Sequence, residues 1–389
     1  MKLAVRVKLL PTPEQASALA ATLRACNEAA NWLSSEAFNH QVTSRAGLQA
    51  RAYGDLRARG LSAQPALHVV RKVSDAYAVL KAHARVGNLG EPGSQRYVRA
   101  TSKSITFRAG AAQPFDDRCL SWQVSASTVS IWSVSGRLKR IAFAGYPEQL
   151  DLLVRYRRGE SDLLHQNGEW YLIATCDVPE VEENSRPDGF VGVDLGIVNI
   201  ATTSTGQRHS GRRLNRRREL DRRLRGRLQQ RGTKSAKRRA KRLAGREARR
   251  ARDINHKISK CIVAEAQRTG RGIALEDLSG IRERVRLKKP QRVTLHSWAF
   301  HQLGQFIVYK ARRAGVPVVY VDPCYTSQEC SRCHYVDKRN RPSQAVFECR
   351  SCGFVEHADL NASHNIAARG WWVWVRGARS AAPVLTPAA

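Results

Sequence analysis

Acidic residues are scarce in this chain. Its 389 residues hold 33 Asp and Glu against 66 Lys and Arg, which leaves a formal charge of +33 and a pI near 10.7. A protein so basic repels itself unless a polyanion neutralises it, and nucleic acid is the partner that fits. An anionic membrane surface would offer the same counter-charge, but no long apolar run or lipidation motif accompanies the basic residues. The N-terminus, Met1-Lys2-Leu3-Ala4-Val5-Arg6-Val7-Lys8, lacks the apolar centre of a secretory signal and alternates instead like a half-buried strand. Trp371-Trp372-Val373-Trp374-Val375 is far too short to span a bilayer. These features point to the cytoplasm, with no membrane partner.

Several catalytic signatures are missing as well. There is no HExxH pair, no Walker A loop, no Rossmann glycine fingerprint and no GxSxG elbow, which argues against zinc-protease, ATP-driven, NAD-dependent and serine-hydrolase chemistry.

Cysteine is infrequent too, at nine residues, and four of the nine fall in a pattern. Cys330-Ser-Arg-Cys333 and Cys349-Arg-Ser-Cys352 are two Cys-x-x-Cys pairs with fifteen residues between them. This is zinc-ribbon spacing, in which each pair forms a knuckle that turns two thiolates toward one ion. Disulfides would need an oxidising compartment, for which nothing speaks. Four thiolates leave no open coordination position, so a zinc ion there would be structural and the chemistry must lie elsewhere.

In chain order, residues 2–10 read as a strand ending at Pro11-Thr12-Pro13. Thr12-Pro13-Glu14-Gln15 then reads as a helix start. Ala- and Leu-rich helical spacing continues to about residue 87, broken by Gly47, Gly54 and Gly60, with Cys26 on the apolar face as an inert thiol. Residues 103–178 carry short alternating runs. Ser104–Phe107, Thr128–Trp132, Arg140–Phe143 and Trp170–Ala174 look like strands, and Asn167-Gly168 like a hairpin turn. We expect a small β-barrel whose first strand is followed by an inserted helical block. Residues 179–188 form a polar linker.

Beyond it, Phe190–Asp194 and Gly272–Glu276 are apolar strands that end in acids, with Ile200–Thr203 as hairpin partner to the first. Residues 212–252 are about half Lys and Arg and keep a weak leucine rhythm, as expected of helices lying along a phosphate backbone. Helical spacing resumes over Ile254–Thr269 and over His296–Ala314, and Val316–Val321 is a third strand. A last helix is expected from Asp359 to Arg369, broken at Gly370, and residues 380–389 have the composition of a disordered tail.

Asp194, Glu276 and Asp359 each have a bland reading as turn or cap residues. Jointly they read differently, because carboxylates at strand ends and on a helix can converge on divalent cations. Phosphodiester hydrolysis with two Mg²⁺ ions about 4 Å apart needs such oxygen ligands.

At these residues the chain resembles a known family. Val193-Asp194-Leu195-Gly196-Ile197, Leu275-Glu276-Asp277-Leu278 and Ala358-Asp359-Leu360-Asn361-Ala362 resemble the three acidic motifs of a split RuvC-like nuclease. Their order, with Tyr325-Thr326-Ser327-Gln328 introducing the cysteines, is similar to that of the TnpB (OrfB) proteins of bacterial insertion sequences. Ser297-Trp298 and Asn365-Ile366 fit as well. The resemblance is strongest over residues 189–369.

It implies a multidomain α/β protein with an RNase H-like (RuvC) nuclease domain, an inserted zinc ribbon and an N-terminal β-barrel carrying a helical insert. The expected parts are residues 1–15, the first strand of a wedge barrel; 16–100, a helical recognition insert; and 101–180, the rest of the barrel. Residues 189–324 would form the nuclease with its Arg-rich helices, 325–356 the zinc ribbon, 357–370 the third motif and 371–389 a tail. The implied activity is RNA-guided DNA endonuclease, cutting beside a short flanking motif with a guide RNA made from the transposon end and double-stranded DNA as target, in the bacterial cytoplasm at the nucleoid. Asp194, Glu276 and Asp359 would hold catalytic Mg²⁺, and Cys330, Cys333, Cys349 and Cys352 structural Zn²⁺. A compact type V CRISPR effector, an unguided nuclease acting on branched DNA, or a non-cleaving RNA-guided regulator are the competing readings.

Overall fold

A computed structural model describes residues 1–278 and 300–377. Ser297-Trp298, the start of the helix expected from His296 and the expected disordered tail lie outside them. The chain divides into two units, Met1–Pro179 and Glu180–Ala389.

The first unit is built on a seven-stranded antiparallel sheet. Its strands are β1 (Lys2–Leu10), β2 (Gln113–Phe115), β3 (Leu120–Gln123), β4 (Thr128–Ser133), β5 (Gly136–Ala144), β6 (Arg157–Gln166) and β7 (Glu169–Asp177), in the order β2-β6-β7-β1-β5-β4-β3. The period-2 pattern of β1 buries Val5, Val7 and Leu9 in one core with Phe115, Leu120, Ile131, Ile141, Leu163 and Leu172. The two edge strands, β2 and β3, are joined by only four residues, so the sheet must curl until its edges nearly meet. It is a nearly closed sheet; no ladder joins β2 to β3. Asn167 and Gly168, both at positive φ, make the β6–β7 hairpin turn that their sequence signals.

Four helices lie in sequence between β1 and β2: α1 (Pro13–Asn39), α2 (Arg45–Ala58), α3 (Ala63–Arg85) and α4 (Gln95–Thr101). Thr12 caps α1 in a full capping box with Gln15. Leu33, Leu48, Leu56, Val69, Val70 and Val73 form the helical core, with Cys26 fully buried among them.

Two local expectations fail here. Ser104–Phe107 is not a strand: Asn31 of α1 accepts from the Phe107 amide at 2.6 Å and donates to its carbonyl at 3.0 Å. A side chain thus takes the place of a ladder partner, and Ile105 and Phe107 pack on the helices. The stretch between β5 and β6 also holds a helix that alternation concealed, α5 (Pro147–Tyr156).

The second unit is a three-layer α/β arrangement. Its sheet has the order β10-β9-β8-β11-β12, from β8 (Phe190–Asp194), β9 (Asn199–Thr203), β10 (Arg208–Ser210), β11 (Gly272–Glu276) and β12 (Val318–Val321). β8, β11 and β12 run parallel, and β9 and β10 extend the sheet antiparallel. On one face, Val191, Val193, Ile273 and Leu275 pack against Ile258 and Ile262 of α7 (Lys234–Arg268) and against Leu303 and Ile307 of α8 (Phe300–Arg313). On the other, Phe190, Ala274, Val319 and Val321 meet Ile366, Val373 and Trp374 of α9 (Ala358–Val375).

α6 (Arg212–Arg231) and α7 carry the basic stretch, and α7 runs unbroken into the helix expected from residue 254. Residues 184–188 are less free than a linker: the Asn184 and Asp188 amides donate to the Gly315 and Gly270 carbonyls. α9 also continues through Gly370, where a Cβ would lie 2.4 Å from Ala274 Cβ. That glycine is a contact point, not a terminator, and the Trp-rich segment is the last turns of the same helix.

Candidate functional site

Strand register brings the first two acids together. Val193 is paired with Leu275 across parallel β8 and β11, so the next residues, Asp194 and Glu276, end neighbouring strands side by side. Alternation puts both on the face that also carries Gly192 and Ala274, the face covered by α9. In open α/β sheets the carboxyl edge of the parallel strands is where ligands gather.

Gly192 sets how closely α9 approaches. A Cβ there would stand 2.0 Å from the Ser363 carbonyl oxygen and 2.5 Å from the Ala367 nitrogen, so only glycine lets the helix backbone lie directly on β8. With α9 seated, its first turn presents Asp359 to the other two acids. Asn199 Nδ2 donates to Asp359 Oδ2 at 2.9 Å, and Arg341 lies 3.4 Å from Oδ1.

The electrostatics report the convergence. Burial, then the charges of Glu276 and Asp359, push the Asp194 carboxyl up to about 8, with Arg341 acting in the opposite direction. Glu276 is raised by burial and held back by its hydrogen bond from Thr326 and by Arg369. Three carboxylates in one place, with one held above its usual range by burial and by the charges of the others, form a site for positive charge. The trio is more open than a single-ion cage, since its oxygens do not all approach within 4.8 Å of one another.

The second unit also holds the cysteine cluster. Cys330, Cys333, Cys349 and Cys352 bring their sulfurs within 4.8 Å of one another, with Cys330–Cys352 at 3.7 Å and Cys333–Cys349 at 3.5 Å. All four are free thiols. Two sulfurs on a tetrahedral zinc with bonds of 2.3 Å stand about 3.8 Å apart, so the cluster fits a structural zinc ion. The second pair lies in the loop between β13 (Val346–Glu348) and β14 (Val355–His357), a short hairpin that leads straight into α9.

α9 holds this segment from beneath. Asn361 donates to the Glu329 carbonyl at 2.8 Å and accepts from the Ser331 amide at 2.9 Å. One turn later, Asn365 donates to the Thr326 and Glu329 carbonyls. Arg369 reaches the Asp322 and Cys324 carbonyls and the Glu329 carboxylate. Arg341 and Asn199 have no local sequence signal, because only the fold sets them beside Asp359.

The basic helices form an antiparallel pair whose few acids are used internally. Asp221 pairs with Arg217 and Arg250, and Glu247 with Arg218 and Arg225. Arg213, Arg216, Arg227, Lys237, Arg238 and Arg242 remain exposed.

Comparison with known proteins bears on the same region. Residues 174–279 match the family model described as "Probable transposase" (OrfB), and residues 300–366 match "Cas12f1-like, TNB domain". The chain is 45% identical over 114 residues to "CRISPR-associated endodeoxyribonuclease Cas12f1" of Sulfoacidibacillus thermotolerans, covering 29% of this chain and 26% of that one. It is 28% identical over 226 residues to "Putative RNA-guided DNA endonuclease InsQ" of Escherichia coli K12, covering 52% and 54%. The chain therefore spans from a quarter to about half the length of these curated relatives. In fold it resembles the protein of "Cryo-EM structure of the Cas12f1-sgRNA-target DNA complex", with a TM-score of 0.56 at 15% identity over 90% of this chain and 82% of that one. Among the described residues, no helix is long and apolar enough to cross a membrane.

Proposed function

We propose that this chain, which belongs with the TnpB (OrfB) proteins by its second half, is an RNA-guided DNA endonuclease. The observation that carries the reading is the convergence of Asp194, Glu276 and Asp359 at the carboxyl edge of a three-layer sheet. In this reading the second unit is an RNase H-like (RuvC) nuclease, with residues 325–356 as its zinc ribbon and 357–370 as its third motif. The first unit supplies the wedge barrel (1–15 and 101–180) and the recognition insert (16–100).

The three acids offer only carboxylate oxygens, the donor set that suits Mg²⁺. Mg²⁺ bound there would activate a water and stabilise the leaving oxygen of an in-line displacement. The chain's own part is positional. Asp194 and Glu276 are fixed by strand register, Thr326 orients Glu276, and Asn199 and Arg341 orient Asp359. The exposed arginines of α6 and α7 neutralise the phosphates of guide RNA or heteroduplex, while base pairing selects the sequence. A guide transcribed from the transposon end and a short flanking target motif complete the proposal, with the cytoplasm and its nucleoid as the place of action.

A compact CRISPR effector is the second reading, favoured by the 45% identity to a protein of that name. A non-cleaving regulator is opposed by the retention of all three acids.

The test is plasmid cleavage with Mg²⁺, using protein co-purified with RNA from its own locus and a matched target with a randomised flank. Cleavage should require the match, one flank and Asp194. Asp194→Ala should lower cutting by more than about 10³-fold and leave RNA binding intact. An Asp194→Ala protein that cuts normally would overturn the nuclease assignment, and cutting that ignores RNA would overturn the guide.

A further inference from the structure

The first unit contains a second group of metal-ligating side chains, which the nuclease reading leaves unused. His68 of α3 and Asp116 and Cys119 of the β2–β3 link bring one ligand atom each to within 4.8 Å of the others. We propose that these three residues bind a zinc-type divalent cation that clasps the helical block to the closing edge of the sheet.

Three observations support the site. His68 is 4% exposed and turns Nε2 to the cluster, while its Nδ1 has no hydrogen-bond partner and would carry the ring proton when Nε2 binds a cation. Its Nε2 faces Asp116 Oδ2 at 3.6 Å, longer than a good hydrogen bond. It is a few tenths of an ångström longer than the roughly 3.3 Å that separates an imidazole nitrogen and a carboxylate oxygen on a tetrahedral zinc, so a small closure would seat the ion.

The second observation is how Asp116 is held. Its Oδ1 accepts from the Arg118 and Cys119 amides, both at 3.2 Å, so the turn Asp116–Cys119 fixes the carboxylate, and Oδ2, which also accepts from the Gln64 side-chain amide at 3.2 Å, faces the imidazole. Ligating carboxylates are oriented by such outer bonds. The same turn brings Cys119, 4% exposed, to the cluster.

The third is the ligand chemistry. Imidazole, thiolate and carboxylate together suit zinc and not Mg²⁺ or Ca²⁺. Binding would release the Cys119 thiol proton to solvent and form the metal–sulfur bond in its place. Glu160 of β6, 3.8 Å from His68 Nε2, is engaged by Arg71. That leaves the fourth position to water and the charge of the site balanced by two anionic ligands.

The position gives the cation a structural role. β2 and β3 are the two edges of the sheet, and no ladder joins them. Asp116 and Cys119 sit in the link between those edges and His68 on α3, so one ion would add a bond from α3 to that link beside the Lys72–Ala112 and Arg71–Glu160 contacts.

The experiment counts zinc in the full-length protein by plasma mass spectrometry after gel filtration. Wild type should carry two zinc ions per chain. Cys119→Ser should carry one, and so should the double variant Cys330→Ser/Cys333→Ser, each losing a different ion. A wild-type count of one that vanishes in the double variant and persists in Cys119→Ser would overturn the proposal and leave the ribbon reading standing. A count of one with the opposite pattern would overturn the ribbon reading alone. Should Cys119→Ser not fold, Asp116→Asn serves instead, because its amide oxygen can still accept the two turn hydrogen bonds. Its zinc affinity at this site, read by competition with a chromophoric chelator, should fall at least tenfold. Unchanged affinity would overturn the site.

Discussion

Thr326 Oγ1 donates a 2.7 Å hydrogen bond to Glu276 Oε1, and both residues are buried. The Thr326 carbonyl in turn accepts from Asn365 of α9. One acid of the candidate site is therefore oriented by the residue that opens the cysteine-bearing segment, and that residue is held by the helix bearing Asp359. The cysteine cluster and the acidic site are parts of one framework.

Thr326→Val keeps the shape and removes the donor. Losing a buried hydrogen bond to a charged group costs on the order of 1–3 kcal/mol, which corresponds to about a 5- to 150-fold loss of cleavage rate. We expect the Mg²⁺ concentration needed for half-maximal cutting to rise as well, and Thr326→Ser to restore both. A Thr326→Val protein with an unchanged Mg²⁺ titration would show that the hydrogen bond does not position Glu276.

Gly192→Ala tests the seating of α9. The added methyl would overlap the Ser363 and Ala367 backbone, which cannot yield as a flexible side chain does. Overpacking of this kind costs about 1–3 kcal/mol. The variant should melt several degrees lower and lose cleavage through displacement of Asp359. Gly226→Ala, on α6 with nothing within 4 Å of its Cβ, should be neutral or slightly stabilising.

Removing metal from the cysteine cluster should loosen the second unit. Asn361, Asn365 and Arg369 bind the segment that the first cysteine pair closes. Cys330→Ser, or prolonged chelation, should lower zinc content and melting temperature together. Loss of zinc with an unchanged melting curve would show that the cluster does not stabilise the fold.

Lys72 offers a pH test in the first unit. Its Nζ donates to Asn27 Oδ1 and the Ala112 carbonyl, both at 2.6 Å, and burial lowers its pKa from 10.5 to about 8. Between pH 8 and 10.5 the unfolded chain therefore holds this proton more firmly than the folded one, so the Lys72 contribution to stability rises with pH. Lys72→Met should be destabilised by loss of these hydrogen bonds and of a longer one to Gln113 Oε1. Its deficit relative to wild type should widen as pH goes from 8 to 10, as read by paired denaturant melts. A deficit that is flat or shrinking over that range would contradict the lowered pKa.

The sequence alone determined a good deal. Cysteine spacing marked the four-cysteine cluster, and apolar runs ending in Asp194 and Glu276 marked two strands of the sheet, because knuckles and buried parallel strands are written in contiguous residues. The helix start at Thr12 and the Asn167-Gly168 turn were legible for the same reason: each is closed by neighbours a few positions apart. What the sequence could not contain was any relationship set by a distant partner. Ser104–Phe107 has a strand's alternation, yet Asn31, some seventy residues earlier, takes up its backbone hydrogen bonds. Gly370 has the look of a helix stop, and only the approach of α9 to Ala274 shows it as a packing site. The hydrogen bonds of Thr326 to Glu276 and of Asn199 to Asp359, and the meeting of His68 with Cys119, were likewise decided by tertiary structure. Local pattern reports which face of an element seeks burial, whereas the side chains that meet across that burial are chosen by how the elements pack.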